Sequence, residues 1–352
     1  MIGTILTARN LTILYSIGCF VTAVSLVWHR LFCRWVCPVG LCMDGASRLG
    51  RRLGRRCVGF PNLGPWIVVA TWGGACLGTP LFLWLDPLAR FTGAFSPGGY
   101  GLQTGPILAI AAFLAMLVLS VLWANAWCAR VCPLGACQDL LFSLSRFCRC
   151  RLGRRRVAAP PDLGVPVPRR ILLGAAAGAA WAGTTRLLGS TRPPPLRPPG
   201  AVAESAFRGL CTRCGNCLRV CPSGVIEQDL GSSGWAGFLT PVLQFRKGHC
   251  REDCVRCTQV CPSGALERVP LAKKADVRLG LPRVDMSLCL LGEDRECSLC
   301  RSRCPYGAIR YVFCESDYTL TPQVDPDRCN GCGACEAACP TKPKKAIVVV
   351  PI

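Results

Sequence analysis

Residues 211–222 have the sequence CTRCGNCLRVCP. Their spacing, C-x2-C-x2-C-x3-C-P, places three cysteines on one tight loop and a fourth after one short turn. This spacing is typical of a cubane [4Fe–4S] cluster, because one loop can then supply three corners of the cube. The proline turns the chain away, so that the fourth cysteine can point towards a second cluster.

Three further cysteine runs follow, and each also ends in Cys-Pro. Their spacings are C-x3-C-x2-C-x3-C-P in run two, C-x7-C-x2-C-x3-C-P in run three and C-x2-C-x2-C-x3-C-P in run four. A turn and a short apolar strand are expected after each proline. The runs predict four [4Fe–4S] clusters in an α+β polyferredoxin domain over residues 204–352. The predicted metal ligands are Cys211, Cys214, Cys217 and Cys221 (run one), Cys250, Cys254, Cys257 and Cys261 (run two), Cys289, Cys297, Cys300 and Cys304 (run three), and Cys329, Cys332, Cys335 and Cys339 (run four).

Zinc and disulfides are the other uses that these cysteines could have. Zinc ribbons separate their C-x2-C pairs by a longer gap, which these runs do not require. Cysteines two residues apart do not easily bridge to each other, and four copies of one run indicate a metal scaffold. Two pairings of the runs are compatible with the spacing. Adjacent pairing joins run one to two and run three to four, whereas nested pairing joins one to four and two to three.

The composition narrows the classes of function. The chain has 352 residues, 28 cysteines, 51% hydrophobic residues and a formal charge of +21. Its arginines lie in blocks beside apolar segments, which is typical of membrane-flanking charge and argues against nucleic-acid binding. The chain has only two histidines, so a b-type haem with two axial histidines is not expected. The chain has no G-K-[ST] phosphate loop and no hydrolytic motif.

Three apolar segments of the N-terminal part predict membrane spans: Leu11–Trp28, Trp66–Leu85 and Pro106–Trp127. Arginines are concentrated in the loops after the first and third segments, so these loops are expected in the cytoplasm. The sequence therefore predicts a membrane α-helical bundle with three or four spans in residues 1–165. It also predicts a multi-pass protein of the cytoplasmic (inner) membrane, with its cluster domain on the periplasmic, extracytoplasmic side.

The two arginine-rich loops open with a repeat. Residues 33–44 are CRWVCPVGLCMD and residues 128–139 are CARVCPLGACQD, so the unit of span and C-x3-C-P loop occurs twice. If the two loops meet, they supply enough thiols for one additional [4Fe–4S] cluster. The alternative is that they are redox-inert thiols at helix ends. The candidate cofactor-binding residues of this N-terminal site are Cys33, Cys37, Cys128 and Cys132.

Residues 166–203 join the two parts of the chain. Arg169 and Arg170 precede the short apolar run ILLGAAAGAAWAG, which resembles a twin-arginine translocation signal. The alternative is a fourth span flanked by positive charge. The sequence STRPPPLRPPG (residues 190–200) then predicts a stiff, proline-rich linker.

The motifs together resemble a known family. Through CRWVCPVG, CARVCPLG and Asp86-Pro87-Leu88, the N-terminal part resembles the polytopic ferredoxin-type proteins NapH and MauN. The tail, with its Arg-Arg leader and four cysteine runs, resembles their soluble partners NapG and MauM. The resemblance implies a fusion that transfers electrons from quinol in the membrane quinone pool to an extracytoplasmic redox enzyme. An accessory factor that matures a periplasmic metalloenzyme and a redox sensor are the alternative functions.

Overall fold

A computed structural model describes residues 13–54, 61–95, 104–151, 168–189, 193–293, 295–315 and 319–352. The described elements up to residue 189 are helical, and the described strands begin at Ile226. The chain is thus a mixed helix and strand fold. The predicted boundary between residues 165 and 166 lies outside the described residues, as do the arginines of residues 55–56 and 152–156 that supported the predicted orientation.

The N-terminal half is built from helices that begin at prolines in four cases: Pro38, Pro87, Pro133 and Pro168. Proline suits the first helical position because its fixed φ is already helical and its missing N–H would have no partner there. The described helices of this half are α1 (Ile13–Ser25), α2 (Pro38–Arg52), α3 (Gly64–Cys76), α4 (Pro87–Phe95), α5 (Thr104–Leu122), α6 (Pro133–Arg151) and α7 (Pro168–Gly189).

Small residues let α3 and α7 approach closely. A Cβ atom added at Gly73 would overlap the backbone of Ala175, and one added at Gly178 would overlap the backbone of Ala70. Glycine is required at both positions because any larger side chain would push the two helices apart.

A second helix contact, between α2 and α5, lies beside the C-x3-C-P loops. An apolar core forms here around two of the candidate cysteines, Cys37 and Cys132, which are themselves buried. The other buried members of this core are Val39, Met43, Phe113, Met116 and Trp127. The loops are therefore fixed by packing from both copies of the repeat.

The predicted membrane spans are not found. Among the described helices, none is both long enough and apolar enough to cross a bilayer. In the segment Leu11–Trp28, α1 ends at Ser25. In the segment Trp66–Leu85, α3 ends at Cys76, and Gly78, with a φ of 77°, turns the chain.

This finding corrects two predictions. The prediction of a membrane α-helical bundle with three or four spans is wrong. The segment predicted as a possible fourth span lies in α7, which contains Arg169, Arg170 and Arg186. The location as a multi-pass inner-membrane protein, with the cluster domain on the extracytoplasmic side, depended on those spans and is contradicted with them.

The C-terminal half consists of very short helices and two-stranded sheets. Its helices are α8 (Glu204–Leu210), α9 (Asn216–Val220), α10 (Arg256–Gln259), α11 (Leu299–Ser302) and α12 (Ala334–Ala338). Its strands are β1 (Ile226–Gln228), β2 (Pro241–Leu243), β3 (Leu281–Val284), β4 (Ile309–Cys314), β5 (Thr319–Val324) and β6 (Ile347–Val350). Within the described residues, the antiparallel pairs are β1 with β2, β3 with β6 and β4 with β5.

The expected turn and strand after each Cys-Pro occur in three of the four runs. Runs one, three and four are followed by β1, β4 and β6. After run two, Leu266 forms only an isolated bridge, to Ala201. This segment pairs with the chain that enters the domain and not with a second strand of its own.

The described part of the proline-rich segment, residues 193–200, packs on the C-terminal half. Arg197 is buried, and its guanidinium donates to both carboxylate oxygens of Glu204 at 2.8 and 2.7 Å. The same group donates to Thr240 Oγ1 and Pro241 O, and it lies 4.5 Å from the centre of the Phe207 ring. A buried guanidinium needs such partners, so this contact fixes the entry of the chain into the domain.

The Arg197–Glu204 pair predicts a pH-dependent stability. Burial by itself raises the pKa of Glu204, but the hydrogen bonds and charges of Arg197 and Arg208 lower it overall. A lowered folded pKa stabilises the protein above the unfolded pKa of about 4.3, and the stability is lost as pH falls through the folded pKa. We expect Glu204→Gln to cost about 2 kcal/mol at pH 7 and less as the pH falls.

Anaerobic denaturation of wild type and Glu204→Gln between pH 7 and pH 4 measures this difference, and the acid sensitivity of clusters affects both proteins alike. Glu227→Gln is the matched control, because Glu227 lies 3.5 Å from the exposed Lys247 and such pairs contribute little. A difference between wild type and Glu204→Gln that stays constant over the whole pH range would contradict the assignment.

Candidate iron–sulfur sites

The cysteines of runs one and two line two neighbouring hollows. The larger has a volume of about 380 Å³, and its other walls include Phe207 and Leu266. The smaller has a volume of about 330 Å³, with Ile226 and Leu243 in its wall. Both volumes include solvent at the mouth. The first site comprises Cys211, Cys214, Cys217 and Cys261. The second site comprises Cys250, Cys254, Cys257 and Cys221.

The cysteines of runs three and four form a second pair of sites. The third site is a hollow of about 360 Å³, and its cysteines are Cys289, Cys297, Cys300 and Cys339. At the fourth site, burial raises the pKa of three cysteines of run four, and the nearby charge of Cys304 raises each further. The cysteines of the fourth site are Cys329, Cys332, Cys335 and Cys304.

Each run thus gives three cysteines to one site and its last cysteine to the neighbouring site. Cys221 of run one lies in the second site and Cys261 of run two in the first. Likewise, Cys339 of run four lies in the third site. The structure therefore has the adjacent pairing of runs, one with two and three with four, and not the nested pairing.

Glycines shape the loops of runs one and four. Gly215 and Gly333 have φ values of 75° and 79°, and they directly precede α9 and α12. The left-handed conformation turns the loop so that the third cysteine of each run begins a new helix, and glycine adopts it without steric cost. After run two, a backbone N–H also points at a ligand sulfur: Leu266 N donates to Cys261 Sγ at 3.4 Å. Such hydrogen bonds stabilise a negatively charged sulfur.

Burial controls the protonation of these thiols. It raises the pKa of Cys211 to about 11 and the pKa values of Cys257 and Cys332 to about 12. Without metal, these thiols therefore hold their protons at neutral pH, and metal binding releases them.

The donor set fits an iron–sulfur cluster. Each tail site offers four cysteine sulfurs, the ligands that iron–sulfur clusters prefer. Within the part of the chain that the structure describes, no group of three or more His, Cys, Asp or Glu side chains is placed to hold a single metal ion. A cubane gives each cysteine its own iron atom, so cysteines spread around a hollow suit it.

The structure also brings the two C-x3-C-P loops together. Each loop forms a π-helical turn, Phe32–Val36 or Trp127–Val131, which is followed by Cys37 or Cys132 and then by the proline that begins α2 or α6. Burial raises the pKa of Cys33 to about 11, and the charge of Cys37 adds to this. Burial likewise raises the pKa of Cys128 to about 12, with added contributions from Cys33 and Cys37. These four neighbouring thiols make up the N-terminal site: Cys33, Cys37, Cys128 and Cys132.

Family models match both sets of cysteines. The 4Fe–4S dicluster domain matches residues 210–265 and 295–342. The 4Fe–4S binding domain matches residues 11–56 and 106–155, which contain both C-x3-C-P loops. The ferredoxin-type protein NapF of Haemophilus influenzae is 36% identical over 147 residues, or 41% of this chain and 74% of NapF. This chain belongs to the ferredoxin-type iron–sulfur proteins.

Two further ferredoxin-type relatives have similar identity. NapG of Escherichia coli is 37% identical over 178 residues, which are 45% of this chain and 71% of NapG. The methylamine utilization protein MauM of Methylobacillus flagellatus is 35% identical over 162 residues, which are 42% of this chain and 67% of MauM. The predicted resemblance to NapG and MauM is therefore confirmed, and this chain is an electron-transfer protein with multiple [4Fe–4S] clusters. No solved structure matches it.

Sequence analysis missed an ionic group beside the N-terminal site of this ferredoxin-type protein. Asp139 accepts hydrogen bonds from Arg30 Nε at 2.6 Å and lies 2.9 Å from His29 Nε2. The repeat contained the signal, since both copies end in aspartate. In the first copy, Asp44 instead pairs with the exposed Arg48 on its own helix. The two copies of the motif therefore have different electrostatic surroundings.

The four tail sites form a row. The first and second sites share two runs, as do the third and fourth. Between these pairs, the backbone N–H of Cys250, from the second site, donates to Cys332 O, from the fourth site, at 2.9 Å. The order in space is thus first, second, fourth and third. The third site is one end of the row. The cysteines of run three are half-buried, whereas those of run four are buried.

Aromatic rings connect the helical half to the first site. Trp84 lies edge-on to Trp235 and to Phe238, with ring centres 6.2 Å apart in both cases. Phe238 O accepts a hydrogen bond from Arg213 Nε at 2.8 Å, and Arg213 lies in the loop of run one. The helical half therefore meets the tail at the first-site end of the row.

Proposed function

We propose that this ferredoxin-type protein is a linear electron relay that accepts electrons from a quinol and delivers them to a redox enzyme. The hydrogen bond from Cys250 N to Cys332 O is the main support, because it joins the two middle sites of the row. The first and third sites are then the two ends. The contact of Trp84 with Trp235 favours entry at the first site, and the half-buried cysteines of run three favour exit at the third.

In this proposal the sixteen tail cysteines hold four [4Fe–4S] clusters in a polyferredoxin domain of residues 204–352, and the N-terminal site holds a fifth. When bound, each cluster supplies a one-electron carrier. The chain itself sets the order of the carriers and buries or half-buries their ligands. The helical half is then the counterpart of NapH and MauN, fused to a tail of the NapG and MauM kind. The match of its C-x3-C-P loops to a 4Fe–4S binding domain supports this assignment.

Anaerobic EPR of the iron-loaded full chain tests the proposal. We expect reduced cubane signals after addition of a reduced quinol, and an iron content of about twenty atoms per chain if all five sites are filled. Cys33→Ser should abolish reduction by quinol while dithionite still reduces the tail, because the variant removes a ligand only at the N-terminal site, through which electrons would reach the first site.

Cys19→Ser is the matched control, since Cys19 is an exposed cysteine of the same half outside the C-x3-C-P loops. It should behave like wild type. If dithionite reduces the wild-type clusters and quinol does not, quinol is not the donor. If Cys33→Ser is reduced by quinol as fast as wild type, electrons do not enter at the N-terminal site.

A further inference from the structure

A charged side chain is buried against the second site. Lys274 is 2% exposed, and its Nζ donates to Cys250 Sγ at 3.1 Å and to Cys254 O at 2.9 Å. Neither partner is a carboxylate. Burying an ammonium group is costly unless a negative charge compensates it, so this position requires negative charge at the sulfur.

An iron–sulfur cluster supplies that charge. Four cysteinates outweigh the positive charge of the iron–sulfur core, and an added electron makes the whole group more negative. A fixed positive charge at hydrogen-bonding distance therefore stabilises the reduced state more than the oxidised state. We infer that Lys274 raises the reduction potential of the second site. It acts on the cluster through its charge and its hydrogen bond to Cys250 and is not itself a ligand. The inference rests on the proposed function only in that the second site holds a cluster.

Lys274 lies between the two pairs of sites. Cys250, which accepts the hydrogen bond from Lys274, also donates its backbone N–H to Cys332 O of the fourth site. The ammonium thus lies at the junction between the two pairs of sites. Lys274 therefore places a buried positive charge at the cysteine through which the second site contacts the fourth site.

A redox titration of the iron-loaded full chain, monitored by EPR and driven by dithionite with mediators, tests this inference without quinol or partner. In Lys274→Met, we expect one component to titrate at lower potential. Its ratio of reduced to oxidised cluster should fall at least tenfold at fixed potential, which is 59 mV for one electron. Lys274→Arg should retain most of the wild-type potential. Lys273→Met is the matched control. Lys273 is the exposed neighbour of Lys274, so its replacement should leave every potential unchanged.

Iron content shows whether each variant is fully loaded. If Lys274→Met loses iron, Lys274→Gln provides the test, because its amide can still donate to the sulfur but has no charge. A fully loaded neutral variant with wild-type potentials would overturn the inference. The potential shift is independent of the electron donor, so failure of quinol to reduce the wild type would leave this inference intact.

Discussion

Replacing Gly333 by alanine is expected to lower the free energy of unfolding by about 3 kcal/mol, whereas the same change at Gly307 should lower it by about 1 kcal/mol. Both residues have positive φ, 79° and 57°. A Cβ atom at Gly333 would overlap the Phe245 ring, whereas one at Gly307 would meet no atom within 4 Å. The variant at Gly333 thus combines backbone strain with a steric clash, and the variant at Gly307 has backbone strain alone.

Anaerobic urea denaturation and iron analysis of the two variants measure this difference. Phe245 is 2% exposed and belongs to the core around the first and second sites, whereas Gly333 belongs to run four. Loss of stability in Gly333→Ala should therefore extend beyond the fourth site to the contact between the two pairs. Equal costs for the two variants would mean that Phe245 moves aside easily and that the contact between the pairs is loose.

Cys332→Ala is expected to separate the third site from the first two. The variant removes a ligand from the fourth site, which stands between them in the row. Relative to wild type, dithionite should then deliver about one electron fewer per chain, because one carrier is lost. Quinol should deliver about two fewer on the time scale of wild-type reduction, because the third site is also cut off.

Anaerobic titration with each reductant, counted by absorbance, measures these two differences. Cys314→Ala is the matched control, because Cys314 lies in the tail at the end of β4 but outside the four runs. It should keep the full iron content and both electron counts. An equal loss under quinol and dithionite would contradict the order of first, second, fourth and third.

Sequence spacing was most informative where the chemistry is local. The three close cysteines of a run lie on one loop because few residues separate them, so their grouping follows from counting. The exchange of Cys221 and Cys261 between two sites depends on how two runs pack, and the spacing allowed nested pairing equally. Lys274 was missed for the same reason. Its contact with Cys250 spans 24 positions, and Lys273 beside it is exposed.

The wrong predictions came from hydropathy used without regard to local geometry. Length and apolar content suggested that the segment Trp66–Leu85 crosses a membrane, but the turn at Gly78 ends its helix after 13 residues. The prolines of residues 190–200 predicted a stiff linker, but composition gave no sign that Arg197 binds Glu204 and holds this segment on the domain. Composition describes an average over a segment, and one glycine or one buried arginine can decide its structure.

The exchange of last cysteines between neighbouring runs has a consequence for biosynthesis. Run one alone leaves the first site without Cys261, so no tail site is complete until run two has been synthesised. A nascent chain that has emerged as far as residue 275 contains every ligand of two sites and Lys274 as well. The other pair must wait for Cys339 and for β6, which pairs with β3. The tail sites are thus completed in two steps during translation. A chain stalled between these steps would have all the cysteine ligands of the first pair of sites and not those of the second.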